Sequence, residues 1–184
     1  MKVDLVFCGK LGSGKTQVSR AVASATGARW NSFSSIVKRI ATERKIPLVR
    51  ERLQALGEEL VEKRPEEFCR RVLDEAEPKG EEAIVIDGLR HKEIHAVLQR
   101  LLSPRRLLCV FVDVTEGVRV ERLKRRDNVT EDEIHRLEGH STEVQVAQEM
   151  RALANYVVDN SGDLQAAVKN ILAWMSTPNG PVVA

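Results

Sequence analysis

Five short runs of β-type residues alternate with segments of helical periodicity along this chain. The runs lie at residues 3–8, 28–31, 83–86, 107–112 and 156–158. The third and fourth, AIVI and LLCVFV, are continuously apolar, as expected for strands covered on both faces of a parallel sheet. Helical periodicity marks residues 15–25, 49–62, 66–76, 92–102 and 164–175. This alternation predicts a three-layer α/β domain, in which helices flank a five-stranded parallel sheet with right-handed crossovers.

Two segments exceed what this frame needs. About fifty residues of helical pattern separate the second and third runs, far more than one crossover requires. A charged stretch follows the fourth run. Both would leave the sheet at the carboxyl ends of its strands, where open α/β folds bind ligands. We predict one domain over residues 1–175, with a helical insertion at about 32–79, a lid at about 119–143 and a flexible tail at 176–184.

A phosphate-binding loop (P-loop) follows the first run. The pattern G-x-x-x-x-G-K-[ST] is matched by Gly9, Lys10, Leu11, Gly12, Ser13, Gly14, Lys15 and Thr16, with an apolar strand before it and a helical pattern after it. The glycines let backbone amides surround a phosphate, and the next helix adds its positive dipole end. Lys15 would reach the β- and γ-phosphates, and the Thr16 hydroxyl would bind Mg²⁺. A chance match in a glycine-rich turn is the alternative.

A second element of the same site follows the AIVI run as Asp87-Gly88-Leu89-Arg90. A carboxylate at the end of such a strand can hold Mg²⁺ directly or through water. An ordinary Asp-Gly turn is the simpler explanation of the pair on its own. Behind a P-loop, the metal role of Asp87 is the prediction.

Several further segments occur in the order found in one kinase group. They are RERLQALG at 50–57, DGLR at 87–90, RVERLKRR at 119–126, HSTE at 140–143 and YVVDNSGDL at 156–164. With the P-loop, they resemble the nucleoside monophosphate kinases, and more closely the branch with deoxynucleoside monophosphate kinases and adenylate-kinase-like proteins. The resemblance covers nearly the whole chain. It implies ATP and Mg²⁺ as cofactors and a small phosphorylated molecule as acceptor.

The resemblance also implies residues for the acceptor. Arg90 would grip the acceptor phosphate, helped by Arg50 or Arg52. Ser32 and Lys38 would belong to the acceptor helix. The family has Ser-x-Gly-Asp-x-x-Arg there, whereas this chain has SFSSIVK, so the glycine and aspartate are serines and the arginine is lysine. The acceptor is therefore expected to differ from a standard monophosphate.

On the donor side, the resemblance assigns Arg122 and Arg126 to the transferring phosphoryl group. It also implies three residues that lie beside the adenine and contact it mainly through their backbone, namely Asn160, Ser161 and Gly162. Charge supports the arginines independently, because phosphoryl transfer depends on positioning and charge stabilisation. Arg119 shares a helical face with Arg122 and Arg126 by its spacing. A solvated helix face paired with Glu116 and Glu121 is the alternative.

The second run bears on the acceptor's reacting group. P-loop kinases that phosphorylate a hydroxyl group, such as the dephospho-coenzyme A and shikimate kinases, resemble one another at this point. Each has an aspartate base at the end of its second strand. Residues 30–36 contain no carboxylate, and a phosphate acceptor needs no base. This favours phosphate-to-phosphate transfer, although Glu43, Glu51 or Glu58 could act as a base. Phosphomevalonate kinase of the P-loop type is a further possibility, since its GKxxSGK opening is similar to residues 9–15 and its GEE…FCR segments are similar to residues 57–59 and 68–70.

Composition limits the remaining choices. The 184 residues carry a net charge of +2, which gives no general reason to expect nucleic acid or membrane as partner. The three cysteines have no paired spacing and read as reduced core residues of a cytoplasmic protein. Homo-oligomerisation stays open. Two other functions remain alternatives: an ATP-hydrolysing switch, and a kinase of phosphomevalonate or dephospho-coenzyme A.

Overall fold

Five parallel strands form the single sheet of this computed structural model, which describes residues 3–76, 80, 82–127 and 146–177. The spatial order is β2-β3-β1-β4-β5, and each neighbouring pair is parallel. The strands are β1 (Val3–Cys8), β2 (Arg29–Ser32), β3 (Ile84–Leu89), β4 (Arg106–Asp113) and β5 (Tyr156–Asp159). The predicted α/β fold is confirmed.

Helices connect the strands. They are α1 (Lys15–Thr26), α2 (Phe33–Glu43), α3 (Arg50–Lys63), α4 (Pro65–Asp74), α5 (Lys92–Leu102) and α6 (Glu116–Asp127). One turn of π-helix at Val146–Met150 continues into α7 (Arg151–Leu153), and α8 (Leu164–Met175) follows β5. Each of these helices in the described ranges is too short or too polar to span a bilayer.

The core lies on both faces of the sheet, because side chains along a strand alternate between them. In β1, Leu5 and Phe7 pack in one apolar cluster with α1 and α8. Val6 and Cys8 face the other way, into a cluster built with α2, α3, α4 and α5. Complete burial of a side chain such as Phe7 contributes about 2 kcal/mol. Apart from the buried Asp4, the central strand is apolar because both of its faces are covered.

The helical insertion shares the core of the sheet. Ile36, Leu60 and Phe68, one from each of its helices, belong to the same buried cluster as β1 and β3. Ser32 begins the insertion by capping α2, since its Oγ accepts from the backbone N–H of Ser35 at 3.1 Å. Pro65 opens α4, where a missing N–H is harmless. The first helix of the insertion is therefore set by the end of β2.

β3 runs farther than its apolar pattern predicted. The AIVI run suggested an end at residue 86, but the strand continues through Asp87 and Gly88 to Leu89. The pairing with β1 shifts between Phe7 and Cys8, and Gly88 has a φ of 91°, as at a β-bulge. After this shift, Leu89 still pairs with Cys8 at the end of β1. Asp87 thus lies within the last part of a strand and not in a turn.

Some predictions fall outside the described residues. They are most of the lid beyond residue 127, including the HSTE segment, the end of the insertion at 77–79, and the tail from residue 178. The division of the chain into an acceptor-binding insertion and a lid stays a prediction.

All three cysteines are free and buried. The Cys8 and Cys109 sulfur atoms lie 3.4 Å apart on neighbouring strands. The hydrogen bond with Cys109 and then burial raise the pKa of Cys8, and burial raises the pKa of Cys69 to about 12. The thiolate, which is the reactive form, is therefore suppressed at Cys8 and Cys69. We expect a soluble aromatic disulfide to label none of the thiols rapidly in the native protein and all three after denaturation. Rapid labelling of the native protein would contradict this packing.

Candidate nucleotide-binding site

The P-loop joins the buried end of β1 to the first turn of α1. Gly14 caps α1 with a φ of 80° and Gly12 has a φ of 85°, a region that side chains disfavour. A Cβ on Gly12 would lie 2.9 Å from Leu123 Cγ, and one on Gly14 would lie 2.5 Å from Asn160 Nδ2. Within the loop, Ser13 N–H donates to the Lys10 carbonyl at 3.1 Å. The glycines therefore allow both the turn and its close contact with neighbouring elements.

Thr16 and Asp87 meet at the carboxyl ends of β1 and β3. The Thr16 hydroxyl donates to Asp87 Oδ2 at 2.6 Å. Asp87 is only 3% exposed, and its Oδ1 has no hydrogen-bond partner among the described residues. Burial raises the pKa of Asp87 above its ordinary value. The ionised form is favoured by the Lys15 charge, the Thr16 hydrogen bond and the charges of Arg90 and Arg20.

This pair fits a magnesium ion. A carboxylate and a hydroxyl are the hard oxygen donors that Mg²⁺ prefers, and the free lone pairs of Asp87 Oδ1 lack a protein donor in the described residues. In the same ranges no cluster of three His, Cys, Asp or Glu side chains occurs. Mg²⁺ commonly takes few protein ligands and completes its octahedron with water and phosphate oxygens. Thr16 and Asp87 would hold it, and it would supply charge neutralisation at the phosphates.

Lys15 and Arg90 add positive charge around this carboxylate. Lys15 is half-buried, and its Nζ donates to the Lys10 carbonyl at 3.5 Å, across the loop. Arg90 directly follows β3 and is half-buried. Both charges act on Asp87. Two predicted phosphate-binding cations and the predicted metal ligand therefore lie in one locality.

Helix α6 packs directly on the P-loop. Arg119 is 2% exposed; it pairs with Glu116 and donates to the Leu11 carbonyl at 3.2 Å. Arg122 Nη1 donates to the Ser13 carbonyl at 3.3 Å. The sequence interpretation placed both arginines on one face of a lid, but only Arg122 is partly accessible. The side chain of Arg126 lies outside the described part of the chain.

The burial of Arg119 had a signal in the sequence. Leu123 stands one helical turn after it and is 1% exposed, so the buried face of α6 passes through both positions. The paired Glu116 stands three residues before Arg119. Arg119 thus supports the loop through the Leu11 carbonyl, and the assignment of Arg122 and Arg126 to the transferring phosphoryl group stays a prediction.

The loop after β5 also reaches the P-loop. Asn160 is 2% exposed and its Nδ2 donates to the Ser13 carbonyl at 2.8 Å. Ser161 Oγ accepts from the Thr115 N–H at 2.8 Å, and a Cβ on Gly162 would meet no atom within 4 Å. The predicted adenine contacts of these three residues stay predictions. The side-chain role of Asn160 was not foreseen.

Four of the predicted acceptor residues are spread over β2, α2 and α3. Ser32 lies level with Asp87 on the neighbouring strand, and its hydroxyl caps α2. Lys38 on α2 and Arg50 and Arg52 on α3 are exposed. Among the described residues they make no hydrogen bond or ion pair with the P-loop or Asp87. Their assignment to the acceptor stays a prediction.

The structure is similar to the solved structures of several proteins. A gluconokinase from Sinorhizobium meliloti is 19% identical, with a TM-score of 0.56 over 93% of this chain and 90% of that one. A shikimate kinase from Aquifex aeolicus is 16% identical, with a TM-score of 0.57 over 93% and 94%. An uncharacterized protein from Eubacterium ventriosum is 13% identical, with a TM-score of 0.60 over 96% and 99%. At these identities the likeness shows the fold.

Sequence comparison identifies the family. None of the curated proteins compared with this chain matches it. The profile of the AAA domain matches residues 5–148, which include most of β1, the P-loop, β3 and Asp87. With the P-loop kinase architecture of the structural neighbours, this match is decisive: the chain belongs to the AAA domain family and has a P-loop kinase-like fold.

Proposed function

We propose that this protein is an ATP- and Mg²⁺-dependent phosphotransferase that moves the γ-phosphoryl group to the phosphate of a small phosphorylated acceptor. A nucleoside or deoxynucleoside monophosphate, or a similar metabolite, is the acceptor class. Lys15 and the P-loop amides hold the donor, and Thr16 and Asp87 hold the metal. The hydrogen bond of 2.6 Å between these last two side chains supports the metal site.

The residues at the end of β2 are the reason for proposing a phosphate as the reacting group of the acceptor. Ser32 occupies the position that is in register with Asp87, and its hydroxyl is engaged with the backbone of α2. Asn31 donates to the Val72 carbonyl and accepts from Ser35. A hydroxyl acceptor has to lose a proton, and a base there would be a carboxylate. Neutral, already engaged side chains at this point favour an acceptor that is anionic from the start.

Two arginine side chains near this site could bind the acceptor phosphate and the transferred γ-phosphate. Arg90 follows β3 and its charge acts on Asp87, and Arg122 donates to the P-loop from α6. Guanidinium groups bind phosphate oxygens in bidentate fashion and offset the charge of two approaching phosphates. Arg90 would position the acceptor, and Arg122 would stabilise the transferred group.

A hydroxyl acceptor is the second candidate. Its support is the structural likeness to proteins named gluconokinase and shikimate kinase, since gluconate and shikimate react through hydroxyl groups. Among the described residues, Asp87 is the carboxylate in register with the end of β2, and it could act as the base, as could Glu43, Glu51 or Glu58. The hydrogen bond of Asp87 to Thr16 favours the metal role for Asp87 instead.

Phosphorus NMR of the products distinguishes these candidates. The purified protein with ATP and Mg²⁺ is offered deoxynucleoside monophosphates, AMP, phosphomevalonate, dephospho-coenzyme A, gluconate and shikimate. We expect a phosphorylated acceptor to give two coupled phosphoanhydride resonances together with ADP. An isolated phosphomonoester resonance would support the hydroxyl candidate. Acceptor-independent release of inorganic phosphate alone would indicate the switch and overturn the proposal.

A further inference from the structure

The Ser13 carbonyl of the P-loop receives two side-chain hydrogen bonds from distant parts of the chain. Asn160 Nδ2 donates to it at 2.8 Å and Arg122 Nη1 donates at 3.3 Å. Asn160 is almost fully buried, whereas Arg122 extends from a partly exposed helical face. The short, buried bond from Asn160 is therefore the more constraining of the two.

Asn160 is itself held in place. Its backbone N–H donates to the Asp113 carbonyl at 2.9 Å, which ties it to the end of β4. Its side chain comes so close to Gly14 that any Cβ there would lie 2.5 Å from the amide nitrogen. The glycine of the P-loop thus makes room for the asparagine. Asn160 therefore donates to the P-loop from a backbone position that is hydrogen-bonded to the end of β4.

The bonded carbonyl belongs to the same peptide group as the Gly14 N–H. A trans peptide is planar, so its C=O and N–H point in opposite directions. Holding the Ser13 oxygen toward Asn160 therefore keeps the Gly14 N–H directed away from it. A flip of this peptide would present an oxygen where a P-loop presents an amide, and an oxygen repels phosphate.

We propose that Asn160 is a positioning residue that fixes the Ser13–Gly14 peptide and thereby preorganises the P-loop for phosphate. The role belongs to the side chain and is separate from any backbone contact with a base. It rests on the triphosphate site of the proposed function and is independent of the acceptor. Without Asn160, the loop would have to be ordered by the phosphate itself, at a cost in affinity.

Binding measurements on three variants test this. Asn160→Ala removes the donor, and Asn160→Asp keeps the shape but turns an oxygen toward the carbonyl. Asp163→Ala is the matched control, because Asp163 lies in the same loop and caps α8 by accepting from the Ala166 N–H. Dissociation constants for MgATP and for magnesium tripolyphosphate are measured at pH 8 by calorimetry, beside thermal midpoints.

We expect Asn160→Ala to weaken both ligands about tenfold, and Asn160→Asp to weaken both further. Asp163→Ala should lower the thermal midpoint and leave both dissociation constants unchanged. Weakened ATP with unchanged tripolyphosphate would mean that Asn160 contacts the base, and the proposal would be wrong. A lower midpoint without loss of affinity, or better binding by the aspartate than by the alanine variant, would reduce Asn160 to a packing residue. Failure of the unmutated protein to bind either ligand would instead remove the triphosphate site and the proposed function with it.

Discussion

Replacing Lys15 by methionine should lower phosphoryl transfer by about 10³-fold while the protein stays folded. The ammonium group is the P-loop charge that can follow the β- and γ-phosphates, and its loss removes stabilisation when charge moves between them. Methionine preserves most of the length and apolar stem of the side chain. The half-buried position of Lys15 tolerates that replacement. Turnover with the best acceptor from the product screen is the measurement.

Lys169→Met is the matched control for this variant. Lys169 is an exposed residue of α8, so its substitution should leave both turnover and the thermal midpoint within error. The affinity for MgATP should fall less than turnover in the Lys15 variant, because the loop amides remain. Retained turnover in Lys15→Met with normal folding would remove the donor site from this loop.

Replacing Asp87 by asparagine should lower turnover by about 10²-fold and raise the magnesium concentration needed for half-maximal rate. The amide can still accept from Thr16, so the local hydrogen bond survives. What is lost is the negative charge next to the metal. Asp74→Asn, an exposed position at the end of α4, serves as the control. An unaltered magnesium requirement would count against Asp87 as a ligand.

The same variant should change the pH dependence of stability. Burial raises the pKa of Asp87 above the ordinary carboxyl value of 3.8, so the folded protein holds this proton more tightly than the unfolded chain. Without metal, stability therefore falls as pH rises from the ordinary value through the raised one. Thermal midpoints in chelator should show this fall in the unmutated protein and a smaller one in Asp87→Asn. An equal fall in both would assign it to other groups.

The apolar periodicity determined most of the fold. Both faces of a parallel strand are buried, so AIVI and LLCVFV could not belong to an exposed element, and both form central strands. β1, α5 and α8 have the bounds that their patterns predicted. The predicted end of β3 was too early because the last residues of the strand, Asp87 to Leu89, are not an apolar run. They belong to the strand because they pair with β1 and β2, which are distant in the sequence.

The P-loop was recognised from the sequence because its chemistry is local: consecutive residues supply the amides, the lysine and the hydroxyl. The supports of the loop were not recognised, because they come from remote segments. Arg119 and Asn160 lie more than a hundred residues further along the chain than the carbonyls they contact. The spacing grouped Arg119 with the charged face of a lid, and the resemblance placed Asn160 beside the adenine, whereas tertiary packing buried both side chains against the loop.

By itself, therefore, the sequence determined the sheet, its layers and the position of a phosphate-binding turn, since periodicity and consecutive motifs express short-range geometry. The sequence also predicted that Asp87 joins Thr16 at this site, whereas only the tertiary structure decided that the side chains of Arg119 and Asn160 contact the turn. The fold brought Thr16 to 2.6 Å from Asp87 and Asn160 to 2.8 Å from the Ser13 carbonyl. Such meetings depend on strand order and register, which arise from the packing of the whole domain.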